Sequence, residues 1–244
     1  MKKAFITYLC NDLFIPGAVA LINSLKFNKT KFPVCCMVTA EVTPDGRETL
    51  EKAGYSLIDI EKIYASRVEG IKDRYKENSW MMFTKLNLVK LIQFEKLIFL
   101  DADCLALENI DEMFDFPAIS AVRDLSYGGL SAGVLVIEPN QALFDDMIKN
   151  LNNENYDNTY SDQSFLNWYT TEKRIWNEIP LEYNALQKRV PIQDKIKIYH
   201  YNGQKPWITD EEDTCRWRMG DNKIYEIWNY YYNWQQPEFK KEIK

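Results

Sequence analysis

Two carboxylates one residue apart, Asp101 and Asp103, follow directly on the apolar run Leu97-Ile98-Phe99-Leu100. That order reads as a buried strand whose C-terminal end carries a charge pair, and ligands of open α/β sheets sit at that edge. Two hard oxygen donors on a tight turn suit a divalent ion that keeps positions open for phosphate oxygens. An Asp-rich turn closing any strand would look the same in isolation.

A second chemically loaded segment runs His200-Tyr201-Asn202-Gly203-Gln204-Lys205-Pro206-Trp207, and His200 is the only histidine in the chain. A solitary histidine is more often a surface or satisfied core residue than a ligand. Its neighbours shift that balance. The strand Lys195 to His200 delivers the imidazole, Gly203 lets backbone approach a ligand closely, and Lys205 supplies a point charge suited to phosphate. A metal ligand and a phosphate-binding lysine this close together are what a metal–diphosphate site requires.

The elements that must position these groups alternate. Ala4 to Leu9, Phe32 to Thr39 and Tyr55 to Ile60 read as strands. Between them lie helices from about Phe14 to Phe27, capped by Asn11-Asp12, and from Thr43-Pro44 to the stop at Gly54. Trp80 to Phe94 is apolar at helical spacing and leads into the strand ending at Asp101. Beyond it, Ala118 to Val122 and Ala132 to Glu138 read as strands, and Gln141 to Leu151 and Asp162 to Tyr169 as helices. This predicts an α/β fold, a Rossmann-like, mostly parallel central sheet with helices on both faces, in a single domain. The elements divide the chain into residues 1–103, residues 104–207 and an aromatic helical tail, 208–244.

At 244 residues, 46% of them hydrophobic, the chain can bury one sizeable core. A net charge of −6 argues against nonspecific nucleic-acid binding, which needs basic clusters. The five cysteines, at 10, 35, 36, 104 and 215, are odd in number and lack zinc spacing. Reduced thiols in a cytoplasmic setting are the simplest reading. Asn11-Asp12 interrupt the first apolar stretch too early for a signal peptide, no run is long enough to span a membrane, and the sequon Asn28-Lys29-Thr30 reads as chance.

Taken together, the motifs resemble family 8 glycosyltransferases, the glycogenin and galactinol synthase branch above all. Ala4 to Asp12 and Phe14 to Lys26 are similar to the family's opening nucleotide-binding strand, loop and helix. Thr84-Lys85-Leu86 resembles the helix before the metal site. Phe99 to Asp103 with Asn109 to Phe114 resembles the D-x-D segment and its trailing helix. Ser131 to Val136 resembles the central N-S-G-V stretch, and Asp162-Gln163 with Leu166-Asn167 the D-Q-x-x-L-N helix. His200 to Trp207 resembles the H-x-x-G-x-x-K-P-W signature. The likeness spans residues 4 to 234.

The resemblance implies a GT-A fold, a UDP-sugar donor, retention of anomeric configuration and manganese, with magnesium as a substitute. By position, Asp101, Asp103 and His200 would bind the metal. Two carboxylates and an imidazole leave room for two diphosphate oxygens in an octahedral shell, which fits manganese better than zinc. Lys205 and the Gly203 backbone would hold the diphosphate, with Ala102 in the turn between the metal ligands. Tyr8, Cys10, Asn11 and Phe14 would contact uracil and ribose, Phe14 standing where a tyrosine is usual. Lys85 falls on a family lysine near the donor, and Lys76 where an arginine is common. Asp124, Asp162 and Gln163 would face the transferred sugar, although Asp162 could instead cap the helix that follows it. Ser131-Ala132 replace the family's Asn-Ser, which alters the side chains offered to the sugar.

The expected partners are a UDP-hexose, donating glucose or galactose, and a separate glycan, polyol or glycoprotein acceptor. A homodimer is compatible with the aromatic tail. After Tyr183-Asn184 the chain lacks the tyrosine that glycogenin glycosylates on itself, so self-priming at that loop is not expected. Two other classes compete. A non-catalytic sugar-nucleotide or glycan-binding protein would usually have lost a metal ligand. A nucleotidyltransferase would carry a glycine- and basic-rich loop after the first strand, unlike Leu9-Cys10-Asn11-Asp12.

Overall fold

The computed structural model describes residues 2–65, 79–124, 129–186, 195–208 and 222–235. Its centre is a seven-stranded sheet in the order β3-β2-β1-β4-β7-β6-β8. Strands β1 (Lys3–Leu9), β2 (Val34–Val38), β3 (Ser56–Asp59) and β4 (Lys96–Leu100) run parallel. The sheet then turns mixed. β7 (Leu130–Ile137) pairs antiparallel with both β4 and β6 (Ser120–Arg123), and β8 (Asn177–Ile179) closes the edge parallel to β6.

Alternation along β1 explains why both faces are covered. Phe5 and Leu9 join one buried cluster, and Ala4 and Ile6 join another. Helices α1 (Ile15–Phe27) and α2 (Pro44–Ala53) cover the first face. Helices α4 (Gln141–Asn150) and α5 (Asp162–Lys173) cover the second, with Met147, Phe165 and Tyr169 buried. Each such side chain contributes roughly 1.5–3 kcal/mol of transfer free energy. The start of α2 follows its sequence signals: the Thr43 hydroxyl accepts from Gly46 N at 3.1 Å, Pro44 opens the first turn, and Gly54 closes the helix.

The expected helix from Trp80 to Phe94 is corrected. Only Ser79–Phe83 (α3) is α-helical, and Thr84–Lys90 is a 3₁₀ stretch. Local polar side chains compete with the α ladder there. Thr84 Oγ1 donates to Trp80 O at 2.7 Å, and Asn87 Nδ2 donates to Thr84 O at 2.7 Å and Glu61 O at 2.9 Å.

A smaller sheet, β5-β10-β9, sits beyond the carboxylate turn. β5 (Cys104–Ala106) pairs antiparallel with β10 (Ile198–His200), which pairs parallel with β9 (Ala185–Leu186). The terminal helix α6 (Asn222–Asn233) packs on α1, where Asn23 Nδ2 donates to Tyr231 O at 2.9 Å. Its Trp228 lies beside Trp207 (ring centres 5.5 Å apart), and Trp207 stands edge-on to Phe14 at 5.7 Å. No helix among the described residues is long and apolar enough to cross a membrane.

Candidate active site

Three backbone pairings assemble the site. Asp101 N donates to Gly133 O at 2.8 Å, which fixes the end of β4 against β7. Asp103 O accepts from Tyr201 N at 2.8 Å, and the β5–β10 register sets His200 opposite Cys104. His200 Nε2 therefore lies 3.2 Å from Asp103 Oδ1 and 3.9 Å from Asp101 Oδ2. Gly133 makes room for the ring, because a Cβ there would stand 2.3 Å from His200 Cε1 and 2.7 Å from Nδ1. Gly17 does the same for α1, where a Cβ would stand 2.6 Å from Ala102 O.

The histidine's tautomer follows from its other partner. Asn184 Nδ2 donates to Ser131 Oγ at 2.9 Å, which turns Asn184 Oδ1 toward His200 Nδ1, also 2.9 Å away. With a proton on Nδ1, the Nε2 lone pair faces the two carboxylates. Electron-rich atoms this close need a cation between them, either a proton or a metal ion, and imidazole plus carboxylate is a donor set that borderline divalent ions accept. Ligand atoms of Asp103, Cys104 and His200 lie within 4.8 Å of one another. Burial, then the nearby Asp103, pushes the Cys104 thiol well above its ordinary pKa, so it stays protonated.

Two lysines neutralise the carboxylates. Buried Lys85 reaches Asp101 Oδ1 at 3.0 Å, Asp162 Oδ2 at 3.1 Å and the carbonyl of Ala132 at 3.2 Å. Burial opposes its charge, but Asp101 and Asp162 outweigh that and raise its pKa. Lys205 pairs with Asp103 Oδ2 and donates to Tyr201 O at 2.6 Å. Burial disfavours the Asp103 carboxylate, yet Lys205 and His200 hold its pKa far below the usual range. Asp101, more affected by burial than by Lys85, is raised. Burial, then Cys10, likewise keeps the Tyr8 phenol protonated.

A cleft of about 540 Å³ brings most of the expected residues together. Tyr8, Cys10, Asn11, Phe14, Lys85, Asp101, Ala102, Asp103, Asp162, His200 and Lys205 all line it, joined by Leu13, Met81, Met82 and Asn202. The other expected residues that the structure describes lie outside that lining. Asp124 is buried and accepts from Gln163 Nε2 at 3.0 Å. Ser131 is engaged with Asn184, Ala132 offers its carbonyl to Lys85, and Gly203 is buried behind the lysine loop. Asp162 does not cap its helix: Ser161 holds the cap position, and the Asp162 carboxylate belongs to Lys85. Lys76 lies outside the described residues. Sequence reasoning missed Asn184 and Cys104. For Cys104 the one available signal was adjacency to Asp103, and for Asn184 the sequence offered none.

A mixed α/β sheet thus brings a carboxylate pair, an imidazole and two lysines to one strand edge, a donor set suited to a metal ion and an anionic ligand. The profile of glycosyl transferase family 8 matches residues 5–211, and the chain belongs to that family. Putative UDP-glucuronate:xylan alpha-glucuronosyltransferase 4 of Arabidopsis thaliana is 26% identical, covering 92% of this chain and 40% of that protein. Glycogenin of Neurospora crassa is 28% identical, covering 94% and 35%. Galactinol synthase 6 of Arabidopsis thaliana is 26% identical, covering 100% and 84%. The chain thus spans 35–40% of the first two relatives' length. Among solved structures, the bifunctional glycosyltransferase WbbM superposes with a TM-score of 0.71 at 17% identity, covering 98% of this chain and 51% of that one. That likeness concerns the fold, and it agrees with the GT-A expectation.

Proposed function

We propose that this chain is a retaining, manganese-dependent transferase that moves a hexose, glucose or galactose, from a UDP-sugar to a hydroxyl of a separate glycan, polyol or glycoprotein acceptor. The observation that carries this reading is the meeting of Asp101, Asp103 and His200 with Lys205 in one cleft. Those three ligands would hold the ion, which when bound supplies Lewis-acid stabilisation of charge on the departing diphosphate.

The chain's own groups do the rest. Lys205 exchanges its pairing with Asp103 for the diphosphate and stabilises the leaving group in a preorganised site. The Phe14 ring offers a stacking face for uracil, while Tyr8, Cys10 and Asn11 border the base and ribose. Lys85 fixes Asp101 and Asp162 relative to each other, so that Asp162, with Asp124 and Gln163 behind it, faces the transferred sugar. The acceptor hydroxyl attacks on the face that UDP leaves, and a leaving phosphate oxygen takes its proton. This scheme needs no protein nucleophile, and a trapped glycosyl-enzyme at Asp162 would overturn it. The free thiols of Cys10, Cys35, Cys36 and Cys104 support a reducing, cytoplasmic setting.

The test is UDP release from UDP-glucose, UDP-galactose and UDP-glucuronate, with and without manganese and without acceptor. The last donor enters because of the glucuronosyltransferase relatives. One hexose donor should respond, and only with metal. Calorimetry with UDP and manganese completes the test: absence of both turnover and binding would remove the reading, and binding without turnover on any acceptor would favour a binding protein.

A further inference from the structure

The outward face of α5 carries a second cleft of about 520 Å³. Tyr156, Tyr160 and Trp168 give it aromatic walls, and Asn155 and Asn167 give it amides. Among the described residues no lysine or arginine lines it, and its one carboxylate there, Asp157, accepts from Thr159 through the backbone N–H at 3.0 Å and through the hydroxyl.

The aromatic wall is held in place. The Tyr156 hydroxyl donates to Leu151 O at 2.6 Å, its ring stacks on Trp168 with centres 5.5 Å apart, and Phe165 meets it edge-on. Flat rings for C–H faces, amides for hydroxyls and, among the described residues, no cation for an anionic group match an uncharged pyranose.

The cleft is also in the right place. Gln163 lines it and bonds Asp124, while Asp162, the preceding residue, lines the metal-side cleft. Neighbouring residues of the first turn of α5 thus line the two clefts. We propose that the second cleft binds a neutral pyranose of the acceptor, at some remove from the hydroxyl that receives the sugar. Placing it on the acceptor rests on the transferase reading above. It makes the acceptor an oligosaccharide or glycan chain and not a free polyol.

The experiment is saturation-transfer NMR of the whole chain with the neutral tetrasaccharides of cellulose, amylose, xylan and β-galactan, and with a uronic-acid-bearing xylotetraose. Calorimetry of UDP with manganese runs in parallel. At least one neutral tetrasaccharide should bind, and its affinity should fall at least tenfold in Trp168→Ala. Because Trp168 also packs in the core, Asn155→Arg, which fills the cleft from an exposed lining position, should give the same loss with an unchanged melting temperature. Binding to none of the neutral sugars, binding unchanged in both variants, or preference for the acidic sugar would each overturn the proposal. The UDP titration judges the transferase reading separately: intact UDP binding with no oligosaccharide binding sinks the cleft alone.

Discussion

The side-chain oxygen of Asn184 lies 2.9 Å from Nδ1 of His200, and this contact decides which ring nitrogen faces Asp101 and Asp103. A residue with no expected role thereby sets the donor atom of the only imidazole.

Asn184→Ala removes that orientation and leaves the three candidate ligands in place. Loss of an outer partner of a metal-binding histidine typically costs ten- to a hundred-fold in affinity. The expected result is a drop of that size in manganese affinity, read by calorimetry, with a circular dichroism spectrum like the parent's. Unchanged affinity would mean that the ring is oriented by something else.

Gly133→Ala tests the space the ring occupies. The new methyl would stand 2.3 Å from His200 Cε1, so the imidazole must move. We expect manganese-dependent UDP binding to fall at least tenfold, with a stability loss of about 1–3 kcal/mol from overpacking. Denaturant melts and UDP titrations measure the two effects separately.

Lys205→Met removes the cation paired with the buried Asp103 carboxylate. Breaking such a pair leaves an uncompensated charge, at a cost of up to about 3 kcal/mol in a partly shielded site. Manganese supplies charge at the same place, so its addition should raise the variant's melting temperature more than the parent's. UDP affinity in manganese should meanwhile fall more than tenfold. A smaller metal-induced rise in the variant would show that Lys205 is not the carboxylate's resident counter-charge.

A pH effect is expected away from the cleft. Glu112 accepts from Lys197 Nζ at 2.7 Å and from the Tyr183 hydroxyl at 3.0 Å. Burial would raise its pKa, but these two bonds outweigh it and hold the carboxyl below its ordinary value. Stabilisation from a depressed carboxylate is complete above the unfolded pKa of about 4.3 and is lost as pH falls through the folded value. Glu112→Gln should therefore melt below the parent at neutral pH, and the gap should close as the pH falls below the unfolded pKa and through the lower folded one. A gap that persists in acid would contradict this. The partial exposure of the pair keeps the effect small and sensitive to salt.

Sequence reading recovered elements whose signals are local and periodic. The parallel strands β1 to β4, the two helices between them and the carboxylate pair at the end of β4 could all be read from runs of residues and their punctuation. The 3₁₀ stretch could not, because Thr84 and Asn87 divert a segment whose apolar spacing suits either helix. Nor could β5 and β9: strands of three and two residues carry no period, and they exist only through pairing with β10. Most of the residues that the motifs single out line one cleft. The links behind them, Asn184 to Ser131 and Gln163 to Asp124, are tertiary contacts that no spacing announces.

The β5–β10 pairing also has a consequence in time. Asp103 and Lys205 are 102 positions apart in the chain, and Asp103 meets its imidazole only when β10 docks. A ribosome that has delivered the whole parallel half has already made both carboxylates, yet the nascent chain has no assembled centre. Long-range closure of this kind is slow, because chain entropy is lost before contacts repay it. Assembly of the centre therefore waits until β10 has been made and docked, and a fragment that ends before β10 would carry both carboxylates without the imidazole or Lys205.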